Sequence, residues 1–463
     1  MSEVVLKVEG LKTWFHTPEG IVRAVDGVSF EIRAGETLAL LGESGSGKSI
    51  TALSLLQLVP EPAGRIVAGQ AWLRGEDIMS LPERAMRRVR GRRLATIFQE
   101  PQTSLNPVMT VGLQIHEALA DRTLTRDTAR ARVVELLESV GIPDAQRRYD
   151  AYPHQLSGGM KQRVMIAMAL AAEPDVLIAD EPTTALDVTT QAQILKLLKA
   201  LQRKTGTAIL LITHDLGVVS EMADQVAVMY AGAVVENARA RDFFGAPRHP
   251  YSQKLFRSLP SRLKRGAALD VIRGSVPRLT RAFAGCRFVD RCDYAWERCR
   301  VEVPAWIEQG GRGVACHRYD PNETARPAAN ADTAPAMARS APRSDDGAPL
   351  LRVKDLKIYF PIHRGVLRRV VDYVRAVDGV SLDVPRGRTL ALVGESGSGK
   401  TTVGKGILQL LPPTAGEVEY NGEALTRVSP RRLRALRREF QVIFQDPYAS
   451  LDPRMLVGEI IEE

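Results

Sequence analysis

An α/β fold, with a sheet buried on both faces and helices around it, is predicted for residues 1–260, and the opening part of the same fold again for 350–463. Three observations predict it. Short apolar runs at 37–41, 176–179 and 208–212 each deliver polar residues at their C-terminal ends. A glycine-rich loop joins the first run to a helix-like segment at 49–58. Finally, the chain repeats itself in three blocks, in the same order. Arg23-Ala24-Val25-Asp26-Gly27-Val28-Ser29 returns unchanged at 375–381, the loop at 42–48 returns at 394–400, and Ile97-Phe98-Gln99 returns as Ile443-Phe444-Gln445.

The bulk numbers fit folded domains. Of 463 residues, 44% are hydrophobic and 25% charged, an ordinary globular balance for two or three domains. No run of about 18 apolar residues offers a membrane span, and the N-terminus lacks the basic-then-apolar layout of a secretory leader, so a cytoplasmic protein is expected. The net charge of +9 is dispersed, with clusters at 87–93 and 431–438 that read as solvated helix faces, so no nucleic acid partner is expected. Residues 321–349 are rich in Ala and Pro with few large apolar side chains, the composition of a tether.

The loop Gly42-Glu43-Ser44-Gly45-Ser46-Gly47-Lys48, continuing into Ser49 and Ile50, is a P-loop. Its glycines let backbone N–H groups turn inward around phosphate oxygens, at the positive end of the following helix. Lys48 is placed to reach the β- and γ-phosphates and Ser49 to ligate Mg²⁺, which makes ATP the expected ligand. Gly394, Glu395, Ser396, Gly397, Ser398, Gly399, Lys400, Thr401 and Thr402 repeat the pattern, with Thr401 in the place of Ser49. Behind the first loop, Asp180 and Glu181 end the buried run Val176-Leu177-Ile178-Ala179. Asp180 is expected to hold Mg²⁺ and Glu181 to polarise the attacking water.

Together these residues resemble the ABC ATPase family over nearly the whole chain. Leu156-Ser157-Gly158-Gly159-Met160, followed by Lys161-Gln162-Arg163, resembles the family signature, with Met160 where Gln is common. The resemblance implies that Ser157, Gly158 and Gly159 grip a γ-phosphate from the opposite side. It also implies that Gln99, and Gln445 in the repeat, contact Mg²⁺ and the attacking water. Asp187 falls in the D-loop, and His214 is the switch histidine at the γ-phosphate. An aromatic that stacks on adenine is implied upstream of the loop, and Phe15 is chosen over Trp14, with Phe360 its counterpart.

Three further stretches resemble the dipeptide and oligopeptide importer branch: 99–107, 181–189, and the block His249-Pro250-Tyr251-Ser252-Gln253-Lys254-Leu255. The resemblance implies two membrane permease subunits, contacted by the segment from Gln99 to about Glu117, and an external solute-binding protein. It also implies a peripheral place on the cytoplasmic face of the inner membrane. The runner-up is a soluble tandem ATPase acting in translation or DNA repair, or a decayed paralogue that does not hydrolyse.

Cys286, Cys292, Cys299 and Cys316 are the only cysteines and lie within the extension at 261–320. Spacing alone leaves Zn²⁺, an iron–sulfur cluster or free thiols open. The importer branch carries a [4Fe–4S] cluster here, and the resemblance implies that choice, with Arg287, Arg291, Arg298 and Arg300 expected to offset its charge. By alignment of the repeat, the second copy has a P-loop and Gln445, while its signature, paired carboxylates and switch histidine fall beyond Glu463. The expectation is therefore an incomplete second half, with full hydrolysis by one chain not expected.

Overall fold

The computed structural model describes residues 3–100, 104–119, 123–184, 186–259, 272–323, 349–364, 369–395, 397–444 and 450–462. Ser396, Gln445 and most of the tether at 321–349 lie outside them. Two compact units are present, Met1–Arg339 and Ser340–Glu463.

In the first unit, β1 (Val4–Thr17), β2 (Gly20–Arg33), β4 (Gly64–Leu73) and β5 (Glu76–Asp77) form an antiparallel sheet in the order β2-β1-β4-β5. The central sheet has eight strands. β3 (Thr37–Leu41), β6 (Leu94–Ile97), β7 (Val176–Asp180), β8 (Ala208–Thr213) and β9 (Gln225–Tyr230) run parallel in the order β9-β3-β8-β7-β6. β10 (Ala233–Arg239), β12 (Arg312–Ala315) and β11 (Trp306–Gln309) continue it antiparallel beyond β9. Every residue of β3, β7 and β8 is buried, the signature of a sheet covered on both faces.

The parallel strands all finish at one edge: Leu41 pairs with Thr213, Asp180 with Ile212, and Ile97 with Ala179. Ligands of open α/β sheets sit at this carboxyl edge. Apolar side chains on one face of the sheet (Leu38, Leu40, Ile178, Leu210) pack with the antiparallel sheet and α1 (Lys48–Leu55). Those on the other (Ala179, Ile209, Leu211) join a core with α4 (Arg126–Ser139), α6 (Gly158–Leu170) and α7 (Val188–Thr205). α2 (Glu83–Val89) precedes β6, and α3 (Val111–Ala118) lies between β6 and α4. The short α5 (Ala145–Tyr149) completes the helical lobe before α6.

The described part of the cysteine extension pairs with the central sheet of the first unit. Its hairpin β11–β12 joins the central sheet where Glu236 pairs with Val314 and Asn237 with Gly313.

The second unit has a four-stranded antiparallel sheet, β14 (Arg369–Val384), β13 (Leu351–Arg364), β15 (Ala415–Tyr420) and β16 (Glu423–Ala424), in the order written. It also has a helix at Lys400–Ile407. The counterpart of β3 is not a strand: 389–395 is exposed, with Val393 88% accessible, and Ile443 in the counterpart of β6 is 99% accessible. In the first unit β3 is sandwiched between β8 and β9. The described residues of the second unit supply no such neighbours.

Candidate nucleotide site

The loop at 42–48 turns directly from β3 into α1 and is packed too closely for side chains at two glycines. A Cβ at Gly42 would stand 2.2 Å from the Met229 carbonyl oxygen. One at Gly47, whose φ is +101°, would stand 2.1 Å from the Ala24 carbonyl oxygen. Glycine meets both constraints, the left-handed backbone and the missing side chain.

Lys48 is buried and folds back over the loop, its Nζ donating to the carbonyl oxygens of Gly42 (2.8 Å) and Glu43 (3.0 Å). Burial pushes its pKa below the ordinary lysine value, against the pull of Glu181, Asp180 and Glu43. A triphosphate would give this ammonium a full partner. The hydroxyl of Ser46 is wholly buried and has no hydrogen-bond partner among the described residues, an orphan polar atom inside the loop. Ser49 Oγ donates to Asp180 Oδ1 across 3.2 Å, so the end of β7 and the start of α1 present two hard oxygens side by side. Burial raises the pKa of Asp180, as does the neighbouring charge of Glu181, while Ser49 and Lys48 oppose the rise.

Glu181 gathers two more of the predicted residues, Gln99 and His214. It sits just past β7 with φ +48°, its amide donating to the Ile212 carbonyl of β8. Gln99 Nε2 donates to Glu181 Oε2 (2.9 Å), Thr184 Oγ1 donates to the same oxygen (2.9 Å), and His214 Nδ1 lies 2.8 Å from Oε1. Burial pushes this carboxyl up, but the His214 and Thr184 hydrogen bonds and nearby positive charge outweigh it and hold the pKa below the ordinary glutamate value. Thr184 was not anticipated; its place three residues after Glu181 in the Pro182-Thr183-Thr184 turn is the signal that could have found it.

Other predicted residues stand apart. Ser157 caps α6, its Oγ accepting from the Met160 amide (3.3 Å). Asp187 caps α7, accepting from the Thr190 amide (2.9 Å) and hydroxyl (2.8 Å). Thr190 links the two caps, because a Cβ on Gly159 would lie 2.7 Å from its methyl, whereas Gly158 faces open space. Phe15 is half-buried and packs over Gly64, while Trp14 lies beneath the Arg23 guanidinium, 5.2 Å from its ring centre. Phe360 is exposed. In the second unit Lys400 Nζ donates to Gly394 (2.7 Å) and Glu395 (2.5 Å) carbonyls, repeating the arrangement of Lys48.

None of the four cysteines is in a disulfide, and all line one small pocket, with Cys299 and Cys316 buried and the amide of Cys286 donating to the Cys299 carbonyl (2.7 Å). Burial pushes the thiol of Cys286 up to about 11 and those of Cys292 and Cys316 to about 12. The arginines expected to offset a cluster's charge are already matched to carboxylates. Arg287 pairs with Asp26, Arg291 with Glu43, Arg298 with Glu302, Asp320 and Glu323, and Arg300 with Asp290. Each reaches a carboxylate at 2.7–3.5 Å, and a paired guanidinium has little field left to lend. Among the described residues no three His, Cys, Asp or Glu side chains converge on a point that could hold a metal ion.

The family profile described as ABC transporter matches residues 25–184 and again 377–462. The one described as oligopeptide/dipeptide transporter, C-terminal region, matches 235–299. Over 99% of its length the chain is 45% identical to the oligopeptide transport ATP-binding protein OppD of Mycobacterium tuberculosis, spanning 75% of that protein. It is 44% identical, again over 99%, to the glutathione import ATP-binding protein GsiA of Escherichia coli, spanning 67% of it. A solved dimeric ATP-binding cassette, MJ0796 with ADP and phosphate, covers 51% of this chain and 99% of its own at 28% identity, with a TM-score of 0.47. The profile matched over both halves and the two relatives at 44–45% identity show that the chain, with Lys48, Asp180, Glu181 and His214 gathered at one sheet edge, belongs to the ABC transporter family, among its ATP-hydrolysing subunits.

Proposed function

We propose that this chain couples ATP binding and hydrolysis to the import of peptide-like solutes through membrane permease subunits. The observation that carries the reading is Glu181, held by Gln99, Thr184 and His214 at the strand edge where Lys48, Ser49 and Asp180 also end. In this reading the loop amides and Lys48 bind the triphosphate, with Phe15 against the adenine. Ser49 and Asp180, with Gln99, are the oxygen donors for Mg²⁺, which when bound supplies charge neutralisation at the β- and γ-phosphates. Glu181 accepts hydrogen-bonded water and draws its proton as the oxygen attacks the γ-phosphorus, and ADP leaves. Ser157 and its glycines at the tip of α6 close on the nucleotide of a facing cassette, where helix-end amides favour an anion.

The import half of the reading rests on the C-terminal-region match and on the names of the two relatives, against a soluble role in translation or repair. No described helix is long and apolar enough to cross a membrane. Phe98 and Leu113 are exposed and Val108 is 80% accessible, three apolar side chains near Gln99 in the sequence that favour permease contact by this segment. Val108→Asp with Leu113→Asp is expected to abolish co-purification with the permeases from detergent extracts while nucleotide binding persists. Undiminished co-purification would remove this surface from the proposal.

The four thiols are proposed to hold a [4Fe–4S] cluster rather than Zn²⁺. A single zinc needs its ligands to converge on one point, whereas each thiolate of a cubane takes a different iron. The pocket walls leave about 10 Å³, room for one water-sized sphere, so the walls must spread around a cluster. Iron and acid-labile sulfide in anaerobically purified protein test it, and absence of both ends it.

A further inference from the structure

The same heptapeptide forms both P-loops, and the structure holds the two copies differently. In the first unit, the Glu43 carboxylate receives both arms of one guanidinium: Arg291 donates to Oε2 at 2.7 Å and to Oε1 at 3.0 Å. Arg291 is itself fixed, with 7% of its side chain exposed. Its Nε donates to the Arg273 carbonyl (2.9 Å), and the backbone oxygen of Arg291 accepts from Lys254 Nζ (2.7 Å). The amide of Glu43 donates to the hydroxyl of Tyr251 (2.8 Å), a fully buried ring packed at a tilt against Tyr230 and Phe288. Backbone and side chain of Glu43 are thus gripped from outside the loop, by residues 208 and 248 positions away. In the second unit Glu395 is exposed, and among the described residues its carboxylate has no such partner.

The grip bears on the ligand in two ways. The Glu43 carbonyl is one of the two oxygens on which Lys48 rests, so fixing Glu43 fixes where the ammonium waits. A loop already ordered loses less entropy when it closes on phosphate. Second, Glu43 places a negative charge in the mouth of an anion site, and the bidentate guanidinium cancels it.

We propose that the cysteine-bearing extension braces the first P-loop, with Arg291 as positioning residue, so that nucleotide affinity at the first site alone depends on the extension. Arg291 acts through Glu43, and it lies one residue before Cys292. A change in the extension's packing can therefore reach the loop through this side chain. This rests on the reading of the loop at 42–48 as a nucleotide site.

The test is a titration of the full-length chain with a fluorescent ATP analogue and Mg²⁺, in a Lys400→Ala background that silences the second loop. Arg291→Ala is expected to weaken binding roughly 10- to 100-fold, the scale for stranding a partly buried charge. Arg291→Lys should recover part of the loss. In a Glu43→Gln background, Arg291→Ala should add less than about threefold, because the charge it served is gone. Affinity within twofold of the parent after Arg291→Ala overturns the proposal. An Arg291→Ala loss that persists in full beside Glu43→Gln also overturns it, since that is general damage to the extension. So does an effect of Arg291→Ala on the second loop, measured with Lys48→Ala in place of Lys400→Ala. Binding that survives Lys48→Ala with Lys400→Ala would instead refute the nucleotide site itself.

Discussion

Replacing Gly47 by alanine separates the two reasons for glycine in the first P-loop. At φ +101° an L-residue pays for its backbone, about 1–3 kcal/mol. Its Cβ would also meet the Ala24 carbonyl oxygen at 2.1 Å and the Met229 methyl at 2.8 Å. The first of these is backbone and cannot swing aside, which adds about 1–3 kcal/mol of overpacking. Gly45 is the control, with φ +78° but nothing within 4 Å of its added Cβ. Gly45→Ala should therefore cost only the backbone part, and the difference between the two variants should be about 1–3 kcal/mol. Urea unfolding followed by tryptophan fluorescence reads this out cleanly, because Trp14, Trp72, Trp296 and Trp306, the four in the chain, all lie in the first unit. Equal losses for the two variants would refute the claim that close approach to Ala24 and Met229 demands glycine at position 47.

Two further outcomes follow from the site and its surroundings. Glu181→Gln keeps the size of the side chain but sets an amide nitrogen against donor groups and removes the charge. Phosphate release by the permease-assembled protein should fall about 10²–10⁴-fold while nucleotide stays bound, and unchanged turnover would remove Glu181 from the role of base. His249 is fully buried and accepts from the Tyr251 amide, and burial pushes its pKa down to about 3. The unfolded chain then binds a proton that the folded one refuses between about pH 6.5 and 3, so stability is lost as pH falls through that window. The loss is about 2 kcal/mol by about pH 5, and His249→Asn, which can still cap, should remove it; an identical pH dependence in both proteins would contradict this.

The sequence and the structure agree most closely where a residue's environment is local. The runs at 37–41, 176–179 and 208–212 became strands because an all-apolar segment between turn residues has few other places to go. Lys48, Ser49, Asp180, Glu181 and His214 were legible because each follows such a run. Residues acting over long separations were not. Nothing in the spacing of Tyr251 or Arg291 signals that both reach Glu43, and Arg291 was read instead as a counter-charge for the cysteines. The second copy shows the opposite failure. The apolar segment at 390–393 has the same pattern as β3, yet it is not a strand, because its strand character depends on paired neighbours that the pattern itself does not contain.

Equilibrium dialysis of the full-length chain against Mg²⁺ and radiolabelled ATP tests the central claim most directly. The account predicts one bound nucleotide in the Lys400→Ala chain and none once Lys48→Ala is added. Nucleotide bound with equal affinity in both would contradict it.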